Sequence, residues 1–139
     1  ENRWTTPGIS VGSSVRIPEH GKVVKLSPKE IAVYRLFLCV EEGISYTEIG
    51  QFKEKLKELY KKYYNRSTNE EIESVVDGLC VIDGEQSNLR QTISRLNAKI
   101  KGAFGKIYCQ AFQIKGGNGE RKKISLDRKL VSYEEGWEF

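Results

Sequence analysis

The sequence predicts a mainly α fold with a C-terminal β-hairpin, an α+β class, on three observations. Capping-box signatures open three successive apolar-periodic segments, at Ser27 to Glu30, Ser45 to Glu48 and Thr68 to Glu71. A fourth segment, from about Ser87 to Phe104, repeats apolar residues at helical spacing. Two further runs, Lys106 to Lys115 and Arg121 to Leu126, flank Gly116-Gly117-Asn118-Gly119, and those glycines supply the positive φ angles that a hairpin loop needs.

Residues 1–25 are rich in Gly, Ser, Pro and Thr, with short apolar touches at Ile9, Val11, Val15, Ile17, Val23 and Val24. They predict an irregular lead-in or linker with one strand near Lys22 to Lys25. The domain proper is expected over 26–133. In its first helix Ser27 is the N-cap, Pro28 takes the first helical position and Glu30 closes the box. Ile31, Tyr34, Phe37 and Leu38 then face a core, and Gly43 is the stop. The second helix carries the stripe Ile49, Phe52, Leu56, Leu59, Tyr60 and Tyr63 against a solvated face of Lys53, Glu54, Lys57, Glu58, Lys61 and Lys62. Asn65, Arg66 and Ser67 break it. The third is shorter, built on Ile72, Val75, Val76 and Leu79, with Gly78 weakening its last turn and Asp83-Gly84 turning the chain. The fourth has the stripe Leu89, Ile93, Leu96, Ile100 and Phe104, and Gly105 is expected to end it. Asp127 to Tyr133 reads as a short turn or helix, and 134–139 as an acidic, aromatic tail with Trp137 and Phe139.

At 139 residues the chain fits one domain and needs no disulfide or metal staple. With 38% hydrophobic and 30% charged residues it falls on the folded side of the disorder boundary. No apolar run approaches the ~20 residues that span a bilayer, so no membrane partner is expected. The lack of an initiator Met leads us to expect a processed chain or a piece of a longer protein. Cys39, Cys80 and Cys109 form no C-x-x-C pair, and His20 is the sole histidine. This argues against a zinc site, a disulfide scaffold or any cofactor. Cys39 and Cys80 read as small core residues in a reducing compartment, the cytoplasm. A single histidine in a linker-like stretch leaves no Ser/His/Asp or Cys/His arrangement, and the glycine loop lacks a P-loop ending. The expectation is a non-enzyme.

The net charge of +4 hides an asymmetry. Residues 1–85 carry a net −2, 86–133 a net +9, and the last six residues a net −3. No Asp or Glu lies between Glu85 and Glu120. So long a one-sign stretch costs self-repulsion that an anionic partner relieves. The polar face of the fourth helix offers Arg90, Gln91, Ser94, Arg95 and Lys101, flanked by Asn97 and Lys99. Arg suits guanine edges or phosphates, Gln and Asn suit adenine edges, and Ser suits either. Ser87 and Asn88, at the N-terminus of the helix, can meet backbone phosphate. The hairpin adds Lys115 on one side of its loop and Arg121, Lys122 and Lys123 on the other. These residues make DNA the expected partner. The plainer readings are a solvated helical face and an edge-strand guard against aggregation. What favours the functional one is that both basic elements share one acid-free segment. The alternative is a protein-interaction module, with the tail docking on a partner or a second copy to give a homodimer.

The stretch Leu26-Ser27-Pro28-Lys29-Glu30-Ile31-Ala32-Val33-Tyr34-Arg35-Leu36-Phe37-Leu38 resembles the first helix of winged-helix output domains from bacterial two-component response regulators. Ile93-Ser94-Arg95-Leu96-Asn97-Ala98-Lys99-Ile100 is similar to that family's recognition helix. The resemblance implies a winged-helix-like fold and a part in bacterial transcription regulation. It would set Arg95 and its neighbours at the DNA and make the Lys115 to Lys123 hairpin the wing. The chain departs from the family in its long second helix, in the segment Tyr60 to Glu85 and in lacking the wing's Gly-x-Gly-Tyr ending. The layout is also similar to that of uncharacterised bacterial proteins, which implies no activity.

Overall fold

The first helix, α1 (Pro28–Cys39), is the axis of the molecule, and its start is set locally. Ser27 N–H donates to Glu30 Oε1 at 2.9 Å and Glu30 N–H donates to Ser27 Oγ at 3.3 Å, which closes the expected capping box. Every residue from Glu30 to Leu38 is buried. The helix is therefore enclosed all round, where a one-sided stripe was expected. The computed structural model describes residues 8–12, 14–18, 21–63, 68–80, 88–116, 121–126 and 128–133. Within these, the side chains of 46–47, 80, 88 and 106–109 are not described.

The strand expected near Lys22 to Lys25 is present, but the irregular lead-in expected before it is corrected over its described residues. The segment holds three strands, β1 (Ile9–Val11), β2 (Val15–Ile17) and β3 (Lys22–Val24). These join β6 (Val131–Tyr133) in a four-stranded sheet ordered β3-β2-β1-β6. Neighbours β3-β2 and β2-β1 are antiparallel, and β1 runs parallel to β6 with Ile9 opposite Val131. Ile9, Val11, Val15, Ile17 and Val24 point inward and are buried, while Arg16 faces out. The alternation Ile-Ser-Val and Val-Arg-Ile is the period-two signal, and it is strong enough here because the inward face has a core to meet. A boundary at residue 25 therefore divides one sheet from the core it covers.

After α1 the chain makes a 3₁₀ turn, Tyr46–Phe52, before α2 (Lys53–Tyr63). Ser45 N–H donates to Glu48 Oε1 at 3.2 Å, so the second box opens the 3₁₀ turn and the α-helix begins later than its stripe suggests. Leu56, Leu59 and Tyr60 are buried, with Phe52 and Tyr63 at the margin. The face read as solvated is partly paired across to α3 (Asn69–Cys80), through Lys53 with Asp77 and Lys57 with Glu73. Glu71 N–H donates to Thr68 Oγ1 at 3.2 Å at the start of α3, and Ile72, Val76 and Leu79 are buried. Gly78 does not cut the helix short.

The fourth helix, α4 (Asn88–Phe112), runs past its expected end. Gly105 has φ 83° and ψ 169°, a conformation reserved for glycine, and it breaks α4 into two helical stretches. Only the first ends at Gly105. The strand expected from Lys106 is helix to Phe112, because the second stretch is anchored in the core. The Phe112 ring meets Phe104 edge-on at 5.4 Å, and the buried Tyr34 hydroxyl donates to Phe112 O at 2.8 Å. The strands of the hairpin are then short, β4 (Ile114–Lys115) and β5 (Lys123–Ile124), paired antiparallel. A 3₁₀ turn, Arg128–Leu130, leads into β6.

Two arginines lock this arrangement. Arg35 on α1, wholly buried, sets its guanidinium 4.7 Å from the Tyr133 ring centre and donates to Tyr63 Oη at 3.2 Å, tying α1 to α2 and β6. Arg128 donates to Phe37 O, Leu38 O, Ile124 O and Leu126 O. The first two are carbonyls left over at the end of α1, where no basic residue of the helix itself serves them. Cys39, expected in the core, is exposed at the last residue of α1. Among the described residues no helix is long and apolar enough to cross a membrane, and no cluster of His, Cys, Asp or Glu could hold a metal.

Candidate nucleic-acid interface

The stripe Leu89, Ile93, Leu96, Ile100 and Phe104 is buried, and α4 packs against α1, α3 and β3. That burial turns the opposite face outward. Arg90, Ser94, Arg95, Lys101 and the small residues Ala98 and Gly102 are exposed, and Gln91 is half-buried.

The hairpin is held beside this helix by an amide. Asn97 Nδ2 donates to Ile114 O and Ile114 N–H donates to Asn97 Oδ1, both at 2.9 Å. The Asn97 side chain thus acts as a strand partner for the first residue of β4. Gln113 Nε2 donates to Asn97 O at 2.9 Å and closes the same corner. Asn97 was expected to flank a base-reading face, but its amide is spent on the backbone. On the far side of the hairpin, Ile44 and Lys122 exchange N–H···O bonds of 2.9 Å, which fixes β5 against the turn after α1.

A groove with a volume of about 650 Å³ lies between helix and hairpin. Arg90, Ile93, Ser94 and Asn97 line it from α4, and Ile114, Lys115, Gly116 and Lys122 from the hairpin. Four of the expected site residues, Arg90, Ser94, Lys115 and Lys122, therefore converge on one concavity that no carboxylate lines among the described residues. The neck of the hairpin is tight. A Cβ on Gly116 would lie 2.4 Å from Arg121 O, so only glycine fits, and Lys122 Nζ donates to Gly116 O at 2.8 Å. Lys115 and Lys123 are direct cross-strand partners and both are exposed. Like charges placed so are mutually destabilising unless an anion lies near.

Other expected residues lie apart from the groove. At about 100° per residue, Arg95 sits about 140° round the helix from Arg90. It lies on the flank of Lys99, whose ammonium pairs with Glu30 at 2.6 Å. Burial raises the Glu30 pKa, but the hydrogen bonds from Lys99 and Ser27, with the Lys99 charge, bring it below the usual carboxylate range. Lys101 shares the flank of Arg90 but stands roughly 16 Å further along the axis. Arg121 is turned away. Its guanidinium grips Glu48 with both nitrogens, at 2.5 and 2.8 Å, and donates to Gly43 O at 3.2 Å. Glu48 is held below the ordinary carboxylate range, first by the Ser45 N–H and then by Arg121. Arg121 thus braces the hairpin. Ser87 and the loop 117–120 lie outside the described residues, as does the side chain of Asn88.

The roles of Asn97, Gly116, Arg121 and Arg128 were not read from the sequence. Each acts on groups outside its own element, which no local pattern in the sequence reveals. Compared with known proteins, the chain matches no family model, no curated protein and no solved structure.

Proposed function

We propose that this is a non-enzymatic, winged-helix-like domain that binds nucleic acid, DNA in particular, with α4 as the reading helix and the hairpin as its wing. The observation that carries the reading is the groove in which Arg90 and Ser94 of α4 meet Lys115 and Lys122 of the hairpin, with no carboxylate lining it among the described residues. The Lys115–Lys123 pair adds a cationic cross-strand patch that an anion would relieve. The bridge between Ile44 and Lys122 and the Asn97 amide support the hairpin as a braced wing beside the helix. A regulatory role in transcription is the setting this reading suggests.

The test is fluorescence anisotropy of a labelled mixed-sequence duplex titrated with the protein across a salt series. Binding is expected to weaken steeply as salt rises, because each phosphate contact releases counterions. Binding that does not respond to salt, or none at low salt, would reject the reading. A protein-docking face would then be the better account of the exposed charge.

A further inference from the structure

Resting on that reading, we infer that α4 is flanked by a second basic rim, made by Lys22, Lys25 and Lys29, which takes the second backbone of a duplex while the hairpin takes the first. Two contacts fix where the rims lie. Asn97 faces the hairpin, through its amide on the Ile114 backbone. Lys99 faces the start of α1, where Glu30 Oε1 accepts from its ammonium at 2.6 Å and from the Ser27 N–H at 2.9 Å. At about 100° per residue, the arc from Asn97 to Lys99 spans about 200°. The hairpin and the start of α1 therefore stand on opposite sides of α4. The outward arc between them carries Ser94, Arg95, Ala98 and Gly102, all exposed.

The side of α4 away from the hairpin is basic in its own right. From Lys22 to Glu30 the chain holds three lysines and one acid. That acid is buried and paired with Lys99, whereas Lys22 and Lys25 are exposed and Lys29 is half-buried. The net −2 of residues 1–85 hides this cluster, and only the fold brings it beside α4. β3, the edge strand that carries Lys22, packs against α4. Arg95, which lies apart from the groove, stands about one turn from Lys99 and extends the rim along the helix. A helix with its side chains is about 10–12 Å across, and the major groove of a duplex is about 12 Å wide. A duplex that seats this groove on the outward arc brings its two bounding backbones to the two sides of α4. Cations stand at both, Lys115 and Lys123 on the hairpin and Lys22, Lys25 and Lys29 at the start of α1. Such contacts position the duplex and carry no base preference of their own. A single strand brings one backbone, which the hairpin side alone can hold.

The test uses the full chain, a labelled mixed-sequence duplex and the labelled single strand of the same sequence, each titrated over a salt series. Lys22→Gln and Lys25→Gln are each expected to lower the slope of log affinity against log salt by about 0.9 for the duplex, the share of one phosphate contact. Neither should change affinity for the single strand. Lys61→Gln, which removes an exposed lysine of α2, should leave both substrates unaffected. Circular dichroism of each variant is expected to match that of the unaltered protein. Duplex slopes in Lys22→Gln and Lys25→Gln equal to that of Lys61→Gln would overturn the second rim while leaving nucleic-acid binding intact. So would a loss of duplex and single-strand affinity by the same factor. Failure of the unaltered protein to bind the duplex at low salt would overturn the assignment together with the function on which it rests.

Discussion

Arg128 shows how much one side chain can hold when its fork meets several carbonyls. It serves two carbonyls at the end of α1, that of Ile124 at the end of β5 and that of Leu126 just beyond it, across 90 residues of chain. Arg128→Ala leaves these acceptors short of a charged donor in a part-buried site. It is expected to cost about 2–3 kcal/mol in urea unfolding. Arg128→Lys should recover only part of that, since an ammonium cannot span the fork. A loss below about 0.5 kcal/mol would show that water serves these carbonyls equally well. Tyr34 gives a second test. Its hydroxyl is buried and donates to Phe112 O, and burial holds its pKa above the usual tyrosine value of 10.0. The folded state then keeps a proton that the unfolded chain gives up, so its contribution is full below pH 10 and declines as pH rises beyond it. Tyr34→Phe should lose about 1 kcal/mol near neutrality. It should also show a shallower fall in stability above pH 10 than the unaltered protein; parallel alkaline unfolding curves would contradict this. The capping boxes at Ser27 and Ser45 were legible because cap and partner lie three residues apart. Arg35 and Arg128 were not, because nothing near them in the chain distinguishes an arginine that fills a core from one that faces water.

Among the elements, the helices were legible from their stripes and the limits of the other elements were not. The tendency of Ile107 and Tyr108 towards strand loses to the anchoring of Phe112 against Phe104, a contact that no local pattern reveals. Gly105 was rightly singled out as a break, yet the chain resumes as helix after it. Beyond its chain neighbours and the helix's own backbone, no atom of the described residues lies within 4 Å of the Cβ that alanine would add there, so Gly105→Ala tests local backbone conformation. It is expected to cost about 1–3 kcal/mol in thermal unfolding. A neutral result would mean that the two stretches merge into one helix without disturbing the hairpin. Three of the candidate residues that line the groove, Arg90, Lys115 and Lys122, were legible as a set because charge asymmetry can be counted. Their meeting in one groove depends on Asn97, whose use of its amide could not be counted. Asn97→Asp isolates that dependence. The carboxylate still accepts from the Ile114 N–H but cannot donate to Ile114 O, and it places a negative charge among Arg90, Lys115 and Lys122. The expected outcome is a modest stability loss of about 1 kcal/mol. The accompanying loss of duplex affinity at low salt should be larger in free-energy terms and should shrink as salt is raised. Equal affinity for the variant and the unaltered protein would remove the groove from the binding surface.

At the scale of the molecule, the two ends of the described fold share a sheet in which β1 pairs with β6 across roughly 120 residues of chain, a closure whose entropic cost grows only slowly with length. The strands are three residues each, too short to be convincing alone. Their stability comes from the helices beneath them, and the helices in turn rely on that cover. Removing residues 1–24 would strip Ile9, Val11, Val15, Ile17 and Val24 from the core. Each such side chain contributes about 1.5–3 kcal/mol on burial, and their sum rivals the ~5–15 kcal/mol that a domain has in total. The loss would also leave β6 without its only sheet neighbour among the described residues. A chain beginning at Lys25 is therefore expected to keep much of its helical far-UV signal, lose its near-UV aromatic signal and unfold without a cooperative transition. A sharp urea transition in that fragment, with near-UV dichroism intact, would mean that the helices and hairpin form a self-sufficient core. The sheet would then be an addition to that core, and the groove between α4 and the hairpin should survive its removal.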